Sequence, residues 1–259
     1  MTIHGEWTTI GGNIRGFVAK PAGAPPWPAL LVIHAIMGID EHIERLCNAF
    51  AAEGYYAASP DIYASDPSFR QHRHQDIEIA AHMGADAAKQ TAQLAQYSAE
   101  QQAAIVKARA WLNARPGHTY IDTVLAAYTH LRRYSDIRAI GAIGFCMGGR
   151  LVGELAATGA ELAAGVIHYG GPPKLDLVAK IVAPLEGHYA STDAPITGKI
   201  PAFAAAMTAA GKELTYYVYE ADHGFTLRGT AFPDAARRAM VRSKAFLAER
   251  LRPIALAAE

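Results

Sequence analysis

Five residues, Gly144-Phe145-Cys146-Met147-Gly148, restrict the fold more tightly than anything else in the sequence. An apolar run from Ala139 to Phe145 leads in, and a helical pattern from Met147 to about Thr158 leads out. A buried strand that turns into a helix at one residue holds that residue, Cys146, in a strained backbone conformation at the tip. The residues two before and two after then come too close together to carry side chains, which accounts for glycine at 144 and 148. The pattern is the G-x-nucleophile-x-G elbow with cysteine at the place of serine. A sulfur at a helix N-terminus is favoured as thiolate, the nucleophilic form, by the helix dipole. A dinucleotide-binding turn would need G-x-G-x-x-G and a P-loop would need Lys-Ser/Thr; both are missing. A structural cysteine in a Gly-rich turn is the alternative that the motif leaves open.

The other cysteine is different. Cys47 lies among Ile43, Leu46, Phe50 and Ala51 at helical spacing, which predicts a place on a buried helix face. Two distant cysteines without an export signal do not indicate a disulfide.

Around the elbow, strand and helix patterns alternate. Strands are expected at Glu6 to Ile10, Ile14 to Ala19 and Ala29 to Ile33, the last a continuous apolar run suited to a strand covered on both faces. The helix containing Cys47 stops at Gly54, and a strand follows from Tyr55 to Ser59. After the elbow come strand Ala164 to Tyr169, strand Ala183 to Glu186, helix Ile200 to Ala210, strand Thr215 to Tyr219 and helix Ala231 to Leu251. Such alternation implies an α/β fold with a mostly parallel central sheet and helices on both faces. Residues 65 to 116 break the rhythm. They are rich in Ala, Gln and His, read helical almost throughout, and replace what would be a short crossover. The expectation is one domain over residues 1–259 carrying an inserted helical lid, followed by a helix from Thr119 to Arg133.

A cysteine nucleophile needs a base and an acid, and in this fold they follow it in the order acid, then histidine. Asp193 comes after a strand and just before Pro195; His223 comes after the strand ending at Tyr219 and is followed by Gly224. Read together with Cys146, they make a triad in which His223 handles protons and Asp193 fixes its tautomer and orientation. Taken singly, Asp193 could cap a turn and His223 could be one of 11 histidines without special duty. An oxyanion hole needs two backbone N–H groups, for which Met147 and Ile36 are the candidates.

These segments, with Glu53-Gly54-Tyr55 and Pro60-Asp61-Ile62-Tyr63-Ala64, resemble the dienelactone hydrolase family over nearly the whole chain except 65–116. The resemblance implies an α/β-hydrolase fold, a Cys146-Asp193-His223 triad, no cofactor, and hydrolysis of small lactones or esters such as dienelactone. Two departures stand out. Many members carry a glutamate in the loop after the strand equivalent to Leu30 to Ile33, and that position here is Ala35, with His34, Asp40 and Glu41 nearby. An arginine that binds the substrate carboxylate is expected shortly after the histidine, where this chain has Leu227, with Arg228 one place on and Arg70 and Arg73 as further candidates. His34, Tyr169 and Arg228 are the expected substrate contacts. A general short-chain esterase or thioesterase, and a catalytically idle small-molecule binder, are the rival readings.

Charge adds exclusions. With 24 basic and 24 acidic residues, scattered rather than blocked, the chain lacks the basic footprint of a nucleic-acid binder. Its apolar runs fall short of the roughly 20 residues that span a bilayer. The start lacks the features of a signal peptide, so the expected setting is the cytoplasm, as monomer or homodimer. His72, His74 and His82 have neither the spacing nor the companion ligands of a metal site, so no metal is expected.

Overall fold

The computed structural model describes residues 3–11, 14–64, 66, 68–84, 86–114, 120–227 and 231–252. In chain order it contains β1 (Glu6–Thr9), β2 (Arg15–Ala19), β3 (Trp27–Ile33), α1 (Glu41–Ala52) and β4 (Tyr56–Pro60). Next come α2 (His74–His82), α3 (Ala87–Leu94), α4 (Ala99–Ala114), α5 (Tyr120–Leu131), β5 (Ile137–Phe145), α6 (Met147–Ala157) and β6 (Ala164–His168). The chain continues with β7 (Leu185–Ala190), α7 (Ala194–Thr197), α8 (Ile200–Ala209), β8 (Leu214–Tyr219) and α9 (Pro233–Leu251). The strands form a sheet ordered β1-β2-β4-β3-β5-β6-β7-β8, antiparallel at β1–β2 and β2–β4 and parallel thereafter. This is the α/β-hydrolase architecture that the sequence implies. Among the described residues, no helix is long and apolar enough to cross a membrane.

Alternate side chains of the central strands go to opposite faces, because successive Cβ atoms of a strand point opposite ways. Ala29, Leu31 and Ile33 of β3 join Val124 of α5 and Leu151 and Leu155 of α6 in one core. Leu30 and Val32 join Cys47 and Phe50 of α1 and Phe246 and Leu247 of α9 in the other. The continuous apolar runs are therefore needed, because the central strands have a helix layer on both sides. Cys47 is fully buried there, and burial pushes its thiol up, away from ionisation.

A chain of polar groups, buried from Tyr219 inward, ties β6, β7 and β8 to α9. Arg242 Nη1 donates to Tyr219 OH at 3.1 Å, Tyr219 OH lies 3.0 Å from His188 Nδ1, and His188 Nε2 lies 2.9 Å from Glu186 Oε1. Ser243 of α9 sits 3.0 Å from both His188 Nε2 and His168 Nε2. Burial lowers the pKa of both histidines, keeping them neutral. This network explains one difference from expectation. β7 was expected at Ala183 to Glu186, but it runs to Ala190, since Glu186 and His188 satisfy each other inside the sheet. Gly187 between them leaves room for the Tyr189 ring, whose Cε2 would lie 2.5 Å from a Cβ at 187.

The 65–116 stretch is helical in pieces, with α2, α3 and α4 separated by short breaks, and α2 packs on α4. Trp111 of α4 and Phe69 close on the ring of Tyr63, with centroids 5.5 and 4.4 Å from it. The expected turn at Gly11-Gly12-Asn13 and the expected helix start at Thr119 fall partly or wholly outside the described residues.

At the elbow the backbone leaves no space. A Cβ on Gly144 would lie 2.2 Å from Gly148 O, and one on Gly148 would lie 2.1 Å from Ile33 O. Gly148→Ala is expected to destabilise the protein by about 2 kcal/mol or more, seen as a fall of several degrees in Tm by differential scanning calorimetry. Gly171→Ala, whose added methyl meets nothing within 4 Å, should stay within about 0.5 kcal/mol.

Candidate active site

β3 and β5 run side by side with Ile33 opposite Gly144, so the loop after β3 rises next to the elbow. Cys146 has φ 54° and ψ −114°, the strained left-handed region that non-glycine residues rarely adopt. Its N–H donates to His168 O at 2.9 Å, and its carbonyl accepts from Arg150 N–H at 3.1 Å, starting α6. Those two bonds fix the tip, with the side chain half-buried and Met147 N–H in the first turn, where helices leave N–H groups unsatisfied.

Asp193 follows β7 and stands at the start of α7, yet its carboxylate makes no capping bond. It accepts instead from His223 Nδ1 at 2.6 Å. An ionised carboxylate only accepts, so this bond places the proton on Nδ1 and leaves Nε2 as the other working atom. His223 and Cys146 line the same cavity, and the cysteine is among the groups that raise the pKa of the ring. Thr192 clasps the two loops together, its hydroxyl donating to Ala221 O at 3.0 Å and Asp222 Oδ1 at 2.7 Å. Gly224, at φ 79°, makes the turn that brings the imidazole back over the elbow. Burial would lower the pKa of His223, but the hydrogen bonds and negative charge of Cys146 and Asp193 outweigh it and raise the value to about 9.

Two residues expected to touch substrate are instead fully buried, and neither lines the cavity described below. Tyr169 has φ 39° and lies beside His223, ring centroids 5.1 Å apart, with its hydroxyl 2.5 Å from Thr226 Oγ1. It supports the imidazole from the side, because the strand end turns it into the core. His34 accepts from Ile62 N–H at Nε2 (3.2 Å) and donates from Nδ1 to Ala35 O (2.6 Å). Burial lowers its pKa, consistent with a neutral ring holding that pair of bonds. Ala35 O also accepts from Gly38 N–H at 3.1 Å. Since the peptide is planar and trans, the Ile36 N–H points away from that doubly bonded carbonyl.

A cavity of about 370 Å³ opens over Cys146, Asp193 and His223. Its walls are mostly apolar: Ile36, Met37, Ala81, Pro195, Ile196 and Leu227. Glu78 and His82 of α2 complete it, with His82 Nδ1 donating to Glu78 O at 2.7 Å and its ring 6.0 Å from that of His223. Glu78 carries no functional signal in the sequence, and His82 stands out there only as a metal candidate. Their i, i+4 spacing places both on one helix face, but nothing in the sequence says which face meets the elbow. Ala35 lines the cavity without a carboxylate, as expected from its identity. Asp40 caps α1 by accepting from Ile43 N–H at 3.0 Å, and Glu41 pairs with Arg45 on the surface, so neither reaches the cysteine. Arg73 pairs with Asp76 at 2.7 Å, and Arg70 is exposed; neither lines the cavity. Arg228 lies outside the described residues. His72 and His74 pack on Trp111 and Phe69, and among the described residues no group of three or more ligand-type side chains could hold a metal.

Comparison with known proteins gives a consistent result. The sequence profile of the dienelactone hydrolase family matches residues 14–251. A protein of Saccharolobus solfataricus named as a candidate carboxymethylenebutenolidase is 28% identical over 246 residues, 92% of this chain and 94% of that one. One of the same name from Methylorubrum extorquens is 29% identical over 228 residues, 83% of this chain and 68% of that one. The crystal structure of a candidate dienelactone hydrolase from Klebsiella pneumoniae superposes with a TM-score of 0.69 at 26% identity, covering 96% of this chain and all of that one.

The charge pattern around His223 can be measured directly. Histidine NMR should find the ring titrating near pH 9 in the intact protein. Cys146→Ala removes one raising partner, so the value must fall; Asp193→Asn must lower it too. An unchanged value in Cys146→Ala would separate the ring from the cysteine.

Proposed function

The chain belongs to the dienelactone hydrolase family, and we propose that it cleaves a small carboxylic ester or lactone by acyl transfer to Cys146 and then to water. The observation that carries this reading is the position of His223, bonded to Asp193 through Nδ1 and sharing with Cys146 the floor of a mostly apolar cavity.

The raised His223 value makes the imidazole a base able to take the Cys146 thiol proton as attack begins, leaving that proton on Nε2. The Cys146 Sγ lone pair attacks the carbonyl carbon, and the C=O π pair moves onto oxygen. The N–H groups of Ile36 and Met147 receive that oxyanion, each donor contributing about 3–4 kcal/mol in comparable sites. The tetrahedral species collapses, the C–O bond to the leaving group breaks, and His223 Nε2–H protonates the departing oxygen. In a lactone that oxygen stays on the same molecule. A thioester no longer carries the sulfur charge, so one of the groups raising His223 is gone. Its pKa drops, and the ring becomes the base that takes a proton from water. Hydroxide adds to the thioester, thiolate leaves, and the carboxylic acid is released. The α2–α4 segment acts as a lid whose α2 excludes bulk water from the first step.

Leu227, at the place where a carboxylate-binding arginine is expected, lies on the cavity wall and favours a second form of this reading. On it, the substrate is a neutral short-chain ester or thioester, not a carboxylate-bearing lactone.

Cys146→Ala should lower kcat/KM for an aryl acetate by roughly 10³-fold or more, and Asp193→Asn by roughly 10²- to 10⁴-fold. Iodoacetamide should block turnover at one equivalent. Turnover of neutral aryl acetate and of dienelactone by the intact enzyme then distinguishes the two substrate forms.

A further inference from the structure

The proposed oxyanion hole draws one donor from a loop, and a loop N–H is a useful donor only if its peptide plane is held still. Ile36 stands between two peptide planes. The first, Ala35–Ile36, is fixed by the two bonds to Ala35 O from His34 Nδ1 and Gly38 N–H. The second, Ile36–Met37, is fixed from below by one side chain. Tyr63 OH donates to Ile36 O at 3.0 Å. The same hydroxyl oxygen lies 3.5 Å from Met147 Sδ, on the residue that carries the other donor.

We infer that Tyr63 is a positioning residue for the oxyanion hole, its hydroxyl holding the Ile36 carbonyl beside the start of α6. The inference rests on the acyl-transfer reading above. Tyr63 is equipped for this task and badly placed for any contact with substrate. It is buried, and it does not line the cavity. Its backbone is held by Tyr63 N–H donating to Asp61 Oδ1 at 3.0 Å. Its neighbour Ile62 donates to His34 Nε2, so the short segment after β4 braces the oxyanion loop through both His34 and Tyr63. The ring is gripped by Phe69, Trp111 and Tyr120, with centroids 4.4, 5.5 and 5.6 Å away. Two of those three grips come from residues in or next to the α2–α4 segment and the third from α5. Packing of Phe69, Trp111 and Tyr120 thus sets the height of the hydroxyl, and through it the Ile36–Met37 plane, which shares its Ile36 Cα with the plane that carries the donor N–H.

Tyr63→Phe keeps the ring and removes only the hydroxyl. Two reactions of Cys146 separate positioning from general structural damage. Acylation by an aryl acetate builds an oxyanion and needs the hole. Alkylation by iodoacetamide is a displacement at a saturated carbon, with iodide leaving, and needs only the thiolate. The expected result is a fall in kcat and in the single-turnover acylation rate of roughly five- to tenfold, about what one hydrogen bond is worth. KM and the alkylation rate should stay within about twofold of wild type, since neither ground-state binding nor the surroundings of Cys146 and His223 are touched. Acylation unchanged in Tyr63→Phe, or acylation and alkylation slowed by the same factor, would overturn the inference. If the alkylated wild-type enzyme still turned over ester, the nucleophile assignment itself would fail and take this inference with it. If the alkylated wild type is dead, any failure of the Tyr63→Phe contrast belongs to Tyr63 alone.

Discussion

Backbone rests on backbone where the first turn of α6 crosses the end of β3, and the candidate site is arranged around that contact. Gly148 lies so near Ile33 O, and Gly144 so near Gly148 O, that neither tolerates a Cβ. The close approach lets Cys146 stand at the tip in a left-handed conformation, held by His168 O on one side and by the α6 start on the other. It also brings the loop after β3 alongside the helix N-terminus, so that the Ile36 and Met147 N–H groups belong to adjacent pieces of chain. Strain at one residue is offset by packing along both neighbouring strands.

The other half of the site depends on a buried polar chain. Arg242, Tyr219, His188, Glu186, Ser243 and His168 connect α9 to β6, β7 and β8. The loops that carry Asp193 and His223 leave from the ends of β7 and β8, and Tyr169 leaves from the end of β6 to press against His223. A charged residue inside a sheet needs its partner at hand, and here the partners also set the spacing of three strands. The acid and the imidazole consequently meet at 2.6 Å, although 30 residues separate them.

The sequence announces some of this and is silent on the rest, for identifiable reasons. The elbow was legible because only glycine fits at 144 and 148, and Asp193 and His223 because each sits just past an apolar run. Cys47 was legible from helical spacing alone. The surroundings of His34 and Tyr169 are not legible: both stand at strand ends on the catalytic edge, but each is buried and turns inward to a hydrogen bond that pattern cannot reveal. The length of β7 was underread because Glu186 and His188 look like loop residues until they are seen bonded to each other. Glu78, His82 and the hydroxyl of Tyr63 were missed for a common reason. Their places are set by how α2 and α4 pack, and helix spacing records which residues share a face without recording what that face meets.

Acyl transfer as proposed requires Cys146 Sγ to receive the acyl group. Rapid quench of the enzyme with an aryl acetate, followed by intact-mass and peptide analysis, tests this directly. The prediction is a transient gain of one acetyl group, lying on the peptide that contains Cys146 and discharged at the rate of turnover. Acetate release with no such adduct, or an adduct on any other residue, would contradict it.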